Sequence, residues 1–468
     1  MSNARHSPDT SASVGGDPLG DLMVASTEEI ASYLEDAHPA DAAAVLRRLP
    51  RERGAEVAEY LDPRTAGLLL REMHPALAAS VVAEMEPPEA SVVLSEMAPD
   101  DRVDILNHVP AELREELIRE LDTREAAEVR RLASYPADSA GGIMTTEAVA
   151  LNETITAEQA VAELRRIGEE VEQVYYVYAV DASGRLTGVL SMRDLIFAPP
   201  DQPLGVIKRA DVVTVPVAMD QEEVARVLRR HGYLALPVVD DDHRLLGVIT
   251  SDDLADVAEE EATEDIQKIG GTQALHAPYF EVGLASMLRK RGGWLSVLFL
   301  GEMLTATAMG FFESEIQRAA MVALFVPLII SSGGNSGSQA TTIVIRSLAL
   351  REIALRDWWR ICSRELTTGV ILGLFLGLIG ALRITLWYYF GWHDYGGHPY
   401  RMAATIWISL AGVVTFGSAV GSMLPMVMHR VGLDPASASA PFVATLVDVT
   451  GLVIYFMVAI AILSGTVL

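Results

Sequence analysis

Hydrophobic positions run along this chain in three rhythms. From residue 292 onward they merge into five long apolar runs, at about 293–312, 320–345, 367–390, 403–428 and 441–463. Each is long enough to cross a bilayer core of ~30 Å as a helix. Between 138 and 256 the runs are short and strand-like, and each unit reads amphipathic helix, strand, turn, strand, helix. There RLTGVLSMRDL (185–195) aligns with RLLGVITSDDL (244–254), and VYAVD aligns with LPVVD upstream. One constant offset, the one that carries Arg185 onto Arg244, relates the two copies. From 24 to 133 the runs are helical in period and punctuated by Pro39, Pro50, Pro63, Pro75, Pro87, Pro99 and Pro110. A proline every dozen residues permits only short helices that begin near it. Stacked short helices predict a superhelical, solenoid-like domain.

The expected fold class is therefore multidomain. A polar, disordered tail covers 1–22, and an N-terminal all-α superhelical domain covers 23–136. A tandem α/β pair follows over 137–256, then an acidic connecting helix over 257–291. A five-helix α transmembrane domain fills 292–468. The opening MSNARHSPDTSASVGGDP lacks the apolar core of a signal peptide.

Charge divides the chain the same way. Residues 290–468 hold 9 of the 63 acids and 11 of the 36 bases, so residues 1–289 carry a net −29. Such a half repels nucleic acid and anionic lipid and attracts cations. Arg289, Lys290 and Arg291 precede the first apolar run. Arg346, Arg351, Arg356, Arg360 and Arg364 lie between the second and third, and Arg430 follows the fourth. The positive-inside rule makes these places cytoplasmic and puts the C-terminus outside, with Trp387, Tyr388, Tyr389 and Trp392 at the outer interface. A single cysteine, Cys362, excludes a disulfide framework and a cysteine-based zinc cluster. No nucleophile–base set, P-loop, HExxH or redox pair is present, so no enzyme is expected.

The candidate chemistry is carboxylate chemistry. The last run, PFVATLVDVTGLVIYFMVAIAIL, holds one charge, Asp448. An ionised Asp against lipid costs at least ~2.5 kcal/mol, so Asp448 is expected on a wet, protein-lined path. In the second run, PLIISSGGNSGSQATT suggests a helix broken at membrane depth, where freed carbonyls and Asn335 offer neutral oxygens. Glu302 is a second intramembrane acid, either a partner of that break or a packing residue. Residues 252–265, DDLADVAEEEATED, hold eight acids and no base. Like charges four apart destabilise a helix unless cations neutralise them, and hard divalent cations prefer carboxylate and water. A solvated acidic linker is the other reading. Asp100 and Asp104 share a helix face, as ligands or as solvated capping acids.

The duplicated strand–helix unit resembles a tandem pair of cystathionine-β-synthase (CBS) domains, modules that often bind adenine nucleotides or ions. Tyr176, Arg193 and Asp194 fall where related modules read a ribose and phosphate, although Asp194 also fits a helix cap. With PLIISSGGNSGSQATT and ASAPFVATLVDVTGLVIYF added, nearly the whole chain resembles the MgtE-type magnesium channel family. The resemblance implies a homodimer in the cell membrane, with a pore between subunits passing hydrated Mg²⁺ into the cytoplasm and Mn²⁺ or Co²⁺ as related divalents. Asp448, Asn335 and Ala444 fall on its pore positions. Where many members carry a second asparagine or a small residue after GNSG, this chain has Ser338. Asp253, Asp256, Glu261, Glu264, Asp265 and Asp434, with Asp100 and Asp104, fall on its sensing acids. Mg²⁺ bound there would close the pore, and ATP would be a ligand of the CBS pair. The alternatives are an ion-coupled divalent-cation exporter and a membrane-anchored nucleotide sensor.

Overall fold

The computed structural model describes residues 25–167, 174–275, 277–318 and 320–466. The polar tail expected over 1–22 lies outside them. The chain divides into two compact units. The first runs up to Glu260 and takes in His276–Glu281, and the second is Glu261–Leu275 with Val282–Leu468.

The first unit opens with short helices, from Thr27–Asp36 to Thr123–Leu132. Pro39, Pro63, Pro75, Pro87 and Pro99 stand in the first turns of their helices, while Pro50 and Pro110 are N-caps. A proline at those places loses no helical hydrogen bond, because the first N–H groups have no intrahelical partner. Each helix packs mainly against the one two further along, which winds the stack into a superhelix. Leu46, Leu70, Leu94, Leu106, Leu117 and Leu132 fill its core.

Two three-stranded sheets follow. In the first, Ala150–Asn152 (β1) runs parallel to Tyr176–Val180 (β2), which pairs antiparallel with Leu186–Ser191 (β3). Val215–Pro216 (β4), Ala235–Val239 (β5) and Leu245–Thr250 (β6) repeat that order. The repeat extends to detail: the register shifts after Ala179 in one sheet and after its equivalent, Val238, in the other. The equivalent Arg185 and Arg244 pair with each other, which relates the two halves by a pseudo-two-fold axis. Their exits differ. The helix after β3, Met192–Phe197, stops ahead of Pro199 and Pro200. The one after β6, Asp253–Ile269, runs for 17 residues. It ends at Gly270 and Gly271, the latter at φ +75°, a left-handed conformation that glycine adopts without strain. The connecting helix expected over 257–291 is therefore shorter, and residues 284–291 begin the first membrane helix instead.

Among the described residues of the second unit, five helical segments are long and apolar enough to cross a membrane: Leu284–Phe311, Ala320–Ala349, Leu355–Tyr389, Pro399–Arg430 and Ala440–Leu463. The second corrects the expectation from its glycines. Helix Val326–Ala349 is continuous through GGNSG, with Pro327 in its first turn. No carbonyls are freed there. The glycines instead let helices touch. A Cβ on Gly417 or Gly421 of the fourth helix would strike the carbonyl oxygen of Gly333 or Gly337 of the second. Thr341 Oγ1 donates to Gly421 O at 2.8 Å, and the Ser336 and Ser418 hydroxyls meet at 2.7 Å. Gly369, Gly373 and Gly377 bring the third helix onto the fourth in the same way. Small residues and hydroxyl bridges hold membrane helices where no hydrophobic effect can.

Gly421→Leu should therefore destabilise the detergent-solubilised protein by about 1–3 kcal/mol. Gly292→Ala, on an open face of the first membrane helix, should leave the Tm unchanged or slightly higher. Equal melting of Gly421→Leu and the unaltered chain would contradict this packing.

Candidate functional site

The last membrane helix begins at Ser439, whose Oγ accepts from Phe442 N at 3.4 Å and from Trp294 Nε1 of the first helix at 3.0 Å. Asp448 lies eight residues past Ala440, about 12 Å along the axis. It is half-buried, and no described residue hydrogen-bonds or ion-pairs its carboxylate. A Cβ on Gly334 of the second helix would stand 3.4 Å from Ala444 Cβ and 3.8 Å from Asp448 Oδ1. The structure thus gathers Asp448, Ala444 and the Gly334–Asn335 turn at one helix crossing. Asn335 is exposed, with its amide 3.5 Å from Ser331 Oγ. Ser338, one turn further along the same helix, donates to Ala440 O at 3.2 Å, so its hydroxyl ties two helices together. Glu302 is exposed on the first membrane helix. The sequence presents Gly334 as part of a helix break, but in the structure it is a helical residue whose bare backbone leaves space beside the Asp448 carboxylate.

A second constellation lies wholly in the first unit. Asp100, Asp101, Thr145, Asp252 and Asp253 line a small cavity together with Arg71. The Arg71 guanidinium sits 3.1 Å from Asp101 and 3.2 Å from Asp252, joining a superhelix repeat to the second CBS-like unit. Asp253 accepts from Thr250 N at 3.3 Å and caps its helix. Asp194, its counterpart in the first copy, does the same with Ser191 and is also paired to Arg209 at 3.2 Å. Tyr176 pairs with Ser191 across the sheet, so Tyr176, Arg193 and Asp194 do meet at one strand-to-helix exit.

The acids in this cavity are electrostatically unfavourable. Burial, and then the charges of Asp101 and Asp253, hold the Asp100 carboxyl well above the usual range. Its Oδ1 is buried with no hydrogen-bond partner. Burial, then Asp100, Glu260 and Asp253, pushes Asp104 up to about 7. Asp253 is raised mainly by burial, against the hydrogen bond from Thr250. An orphaned carboxylate oxygen among like charges is chemically suited to a cation. Asp256 is exposed one turn on. Among the described residues no group of three or more His, Cys, Asp or Glu side chains is already converged as a metal site.

A third cluster lies in the second unit. Glu261, Glu264 and Asp265 occupy the far end of the acidic helix, and Lys268 in its last turn ion-pairs with Glu264 and, at 2.7 Å, with Asp434. Arg71 and Lys268 were not singled out by sequence. For Lys268 a signal existed, since it stands four residues after Glu264, the favoured spacing for a helical ion pair.

Comparison with known proteins covers most of the chain. The family model described as a divalent cation transporter, MgtE, matches residues 326–458. The MgtE intracellular N domain matches 37–138, and the CBS domain matches 140–201 and 205–260. The magnesium transporter MgtE of Thermus thermophilus is 43% identical over 72% of this chain and 73% of that protein. The magnesium transporter MgtE of Enterococcus faecalis is 35% identical over 72% of each. Among solved structures, the cytosolic domain of the Mg²⁺ channel MgtE in complex with ATP is 39% identical, covering 51% of this chain and 97% of that one at a TM-score of 0.48.

The raised carboxyl of Asp104 has a measurable sign. A folded-state value of about 7 means the folded chain holds a proton that the unfolded chain has already released near pH 4. Its stability contribution is full below pH 4 and is lost as pH rises to about 7. In divalent-free buffer, Asp104→Asn should raise the Tm at pH 8, with the gain shrinking towards pH 4. A gain independent of pH would contradict the burial of this charge.

Proposed function

This chain belongs to the MgtE family of magnesium transporters, and from that premise we propose that it is a channel whose Asp448 draws hydrated Mg²⁺ through the membrane to the cytoplasm. The observation that carries the reading is the half-buried Asp448 carboxylate, without a counter-charge among the described residues, set against the bare backbone of Gly334. An acid at membrane depth keeps its charge only beside water or a cation. Mg²⁺ gives up its water reluctantly and is commonly bound through one or two carboxylates with several waters kept. In this reading the Asn335 amide and the Ala444 carbonyl supply the neutral oxygens of the pathway. The continuous second helix leaves Asn335, not loosened backbone, as its polar contribution. In this reading two copies form a homodimer with the pathway between them, in the cell membrane. The N-terminal domains face the cytoplasm and the C-terminus faces outside.

Regulation would use the acids. A divalent ion at Asp100, Asp104, Asp253 and Asp256 would relieve the repulsion that raises their carboxyls, and Asp100 Oδ1 supplies an unused ligand atom. A second group, Glu261, Glu264, Asp265 and Asp434, would take such an ion between the acidic helix and the turn before the last membrane helix. Mg²⁺ at both would hold the helix and close the pore when the cytoplasm is replete. An adenine nucleotide such as ATP would tune this at the CBS pair, near Tyr176 and Arg193. There Asp194 acts first as a helix cap.

In liposomes holding purified protein, Asp448→Ala should abolish Mg²⁺ entry, and Asp448→Glu should retain part of it. Undiminished flux through folded Asp448→Ala protein would remove Asp448 from the pathway. Uphill Mg²⁺ movement driven by a proton gradient would identify a coupled exporter instead. Millimolar Mg²⁺ should protect the soluble half from protease, and Asp100→Asn with Asp253→Asn should raise the required concentration severalfold. Unchanged protection would dismiss the first acidic group as a sensor.

A further inference from the structure

Both oxygens of Asp434 are engaged. Oδ1 accepts from Ala436 N at 2.8 Å, capping the short turn Pro435–Ser437, and Oδ2 accepts from Lys268 Nζ at 2.7 Å. The same ammonium also pairs with Glu264, one turn back along the acidic helix. It therefore stands between two of the acids assigned above to a divalent ion, one on the acidic helix and one at the approach to the membrane helix carrying Asp448. Lys268 is also the only base within the helix Asp253–Ile269, and it lies in the last turn, where the helix dipole favours a cation.

We infer that Lys268 is a tethered competitor for this site, a built-in cation that a divalent ion must displace from Glu264 and Asp434, and which thereby sets the concentration at which the pore closes. The inference rests on the reading of Glu264 and Asp434 as divalent-cation ligands. A divalent ion brings twice the charge and binds carboxylate oxygens at short range, but the Lys268 ammonium already sits on Asp434 Oδ2, and two cations on one oxygen repel each other. Displacement leaves the ammonium beside the carbonyls at the end of its own helix, so it need not move far. The lysine thus makes the site less sensitive than its acids alone would be. It also offsets one of the two negative charges and keeps the helix joined to the turn when no divalent ion is present.

The test uses the full-length protein in liposomes, with Mg²⁺ varied on the side of the soluble domains. Lys268→Gln should halve flux at an Mg²⁺ concentration about five-fold lower than the unaltered chain, the order expected from releasing two partly exposed ion pairs. Lys268→Arg, which keeps the competing charge, should stay near the unaltered value. Protease protection by Mg²⁺ should shift in the same direction, and it reads the same variants even where flux is lost. Lys268→Gln requiring an equal or higher Mg²⁺ concentration in both measurements would overturn the inference. Glu264→Gln and Asp434→Asn separate it from the reading beneath. If these leave the Mg²⁺ dependence unchanged, the site itself is not regulatory and the inference falls with it. If they weaken it while Lys268→Gln has no effect, only the competing role of the lysine falls.

Discussion

A carboxylate surrounded by hydrocarbon either loses its charge or finds water, and the membrane half of this chain is arranged around that constraint. Asp448 stands in an otherwise apolar helix. Its exposure depends on how near the neighbouring backbone comes, and that nearness is set by glycine. Gly334 leaves open the space a side chain would fill, and Gly333 and Gly337 seat the same helix on Gly417 and Gly421. The hydroxyls of Ser336, Ser418 and Thr341 fix the depth of that contact. Close helix contact, and not a break in the helix, surrounds the half-buried acid. The second helix can then stay fully hydrogen-bonded, as lipid requires of any segment it surrounds.

In the soluble half the same difficulty occurs at lower cost. Carboxylates are crowded together faster than bases are supplied, so the bases among them occupy junctions. Arg71 joins Asp101 to Asp252, and Lys268 joins Glu264 to Asp434. Each base thus lies between two acids and offsets part of their mutual repulsion. Under the regulation proposed above, the response to metal would be an exchange between cations.

Much of this was legible in the sequence. Proline spacing marks helix starts because a residue without N–H is harmless only there. A constant offset between like segments marks duplicated units because sheet register must be kept in both copies. Asp448 is conspicuous because nothing else in its run is charged. The glycine-rich stretch was misread for a physical reason: Gly and Ser lower helix propensity and line broken backbone, but they also permit close helix contact, and only the partner helix distinguishes the two. Gly417 and Gly421 lie beyond the whole third membrane helix, out of reach of any local pattern. Arg71 and Lys268 were missed because their partners are also distant, apart from the single local pair with Glu264.

The duplicated α/β units began alike, down to the capping acids Asp194 and Asp253, but their outgoing helices have different fates. Pro199 and Pro200 end one after two turns, whereas their counterparts, Ala258 and Glu259, let the other continue. The exit is a short stub in one copy and a long shaft in its twin. A pair alike in its sheets is therefore left with one long exit, and under the regulation proposed above any movement would be handed on through the second copy alone.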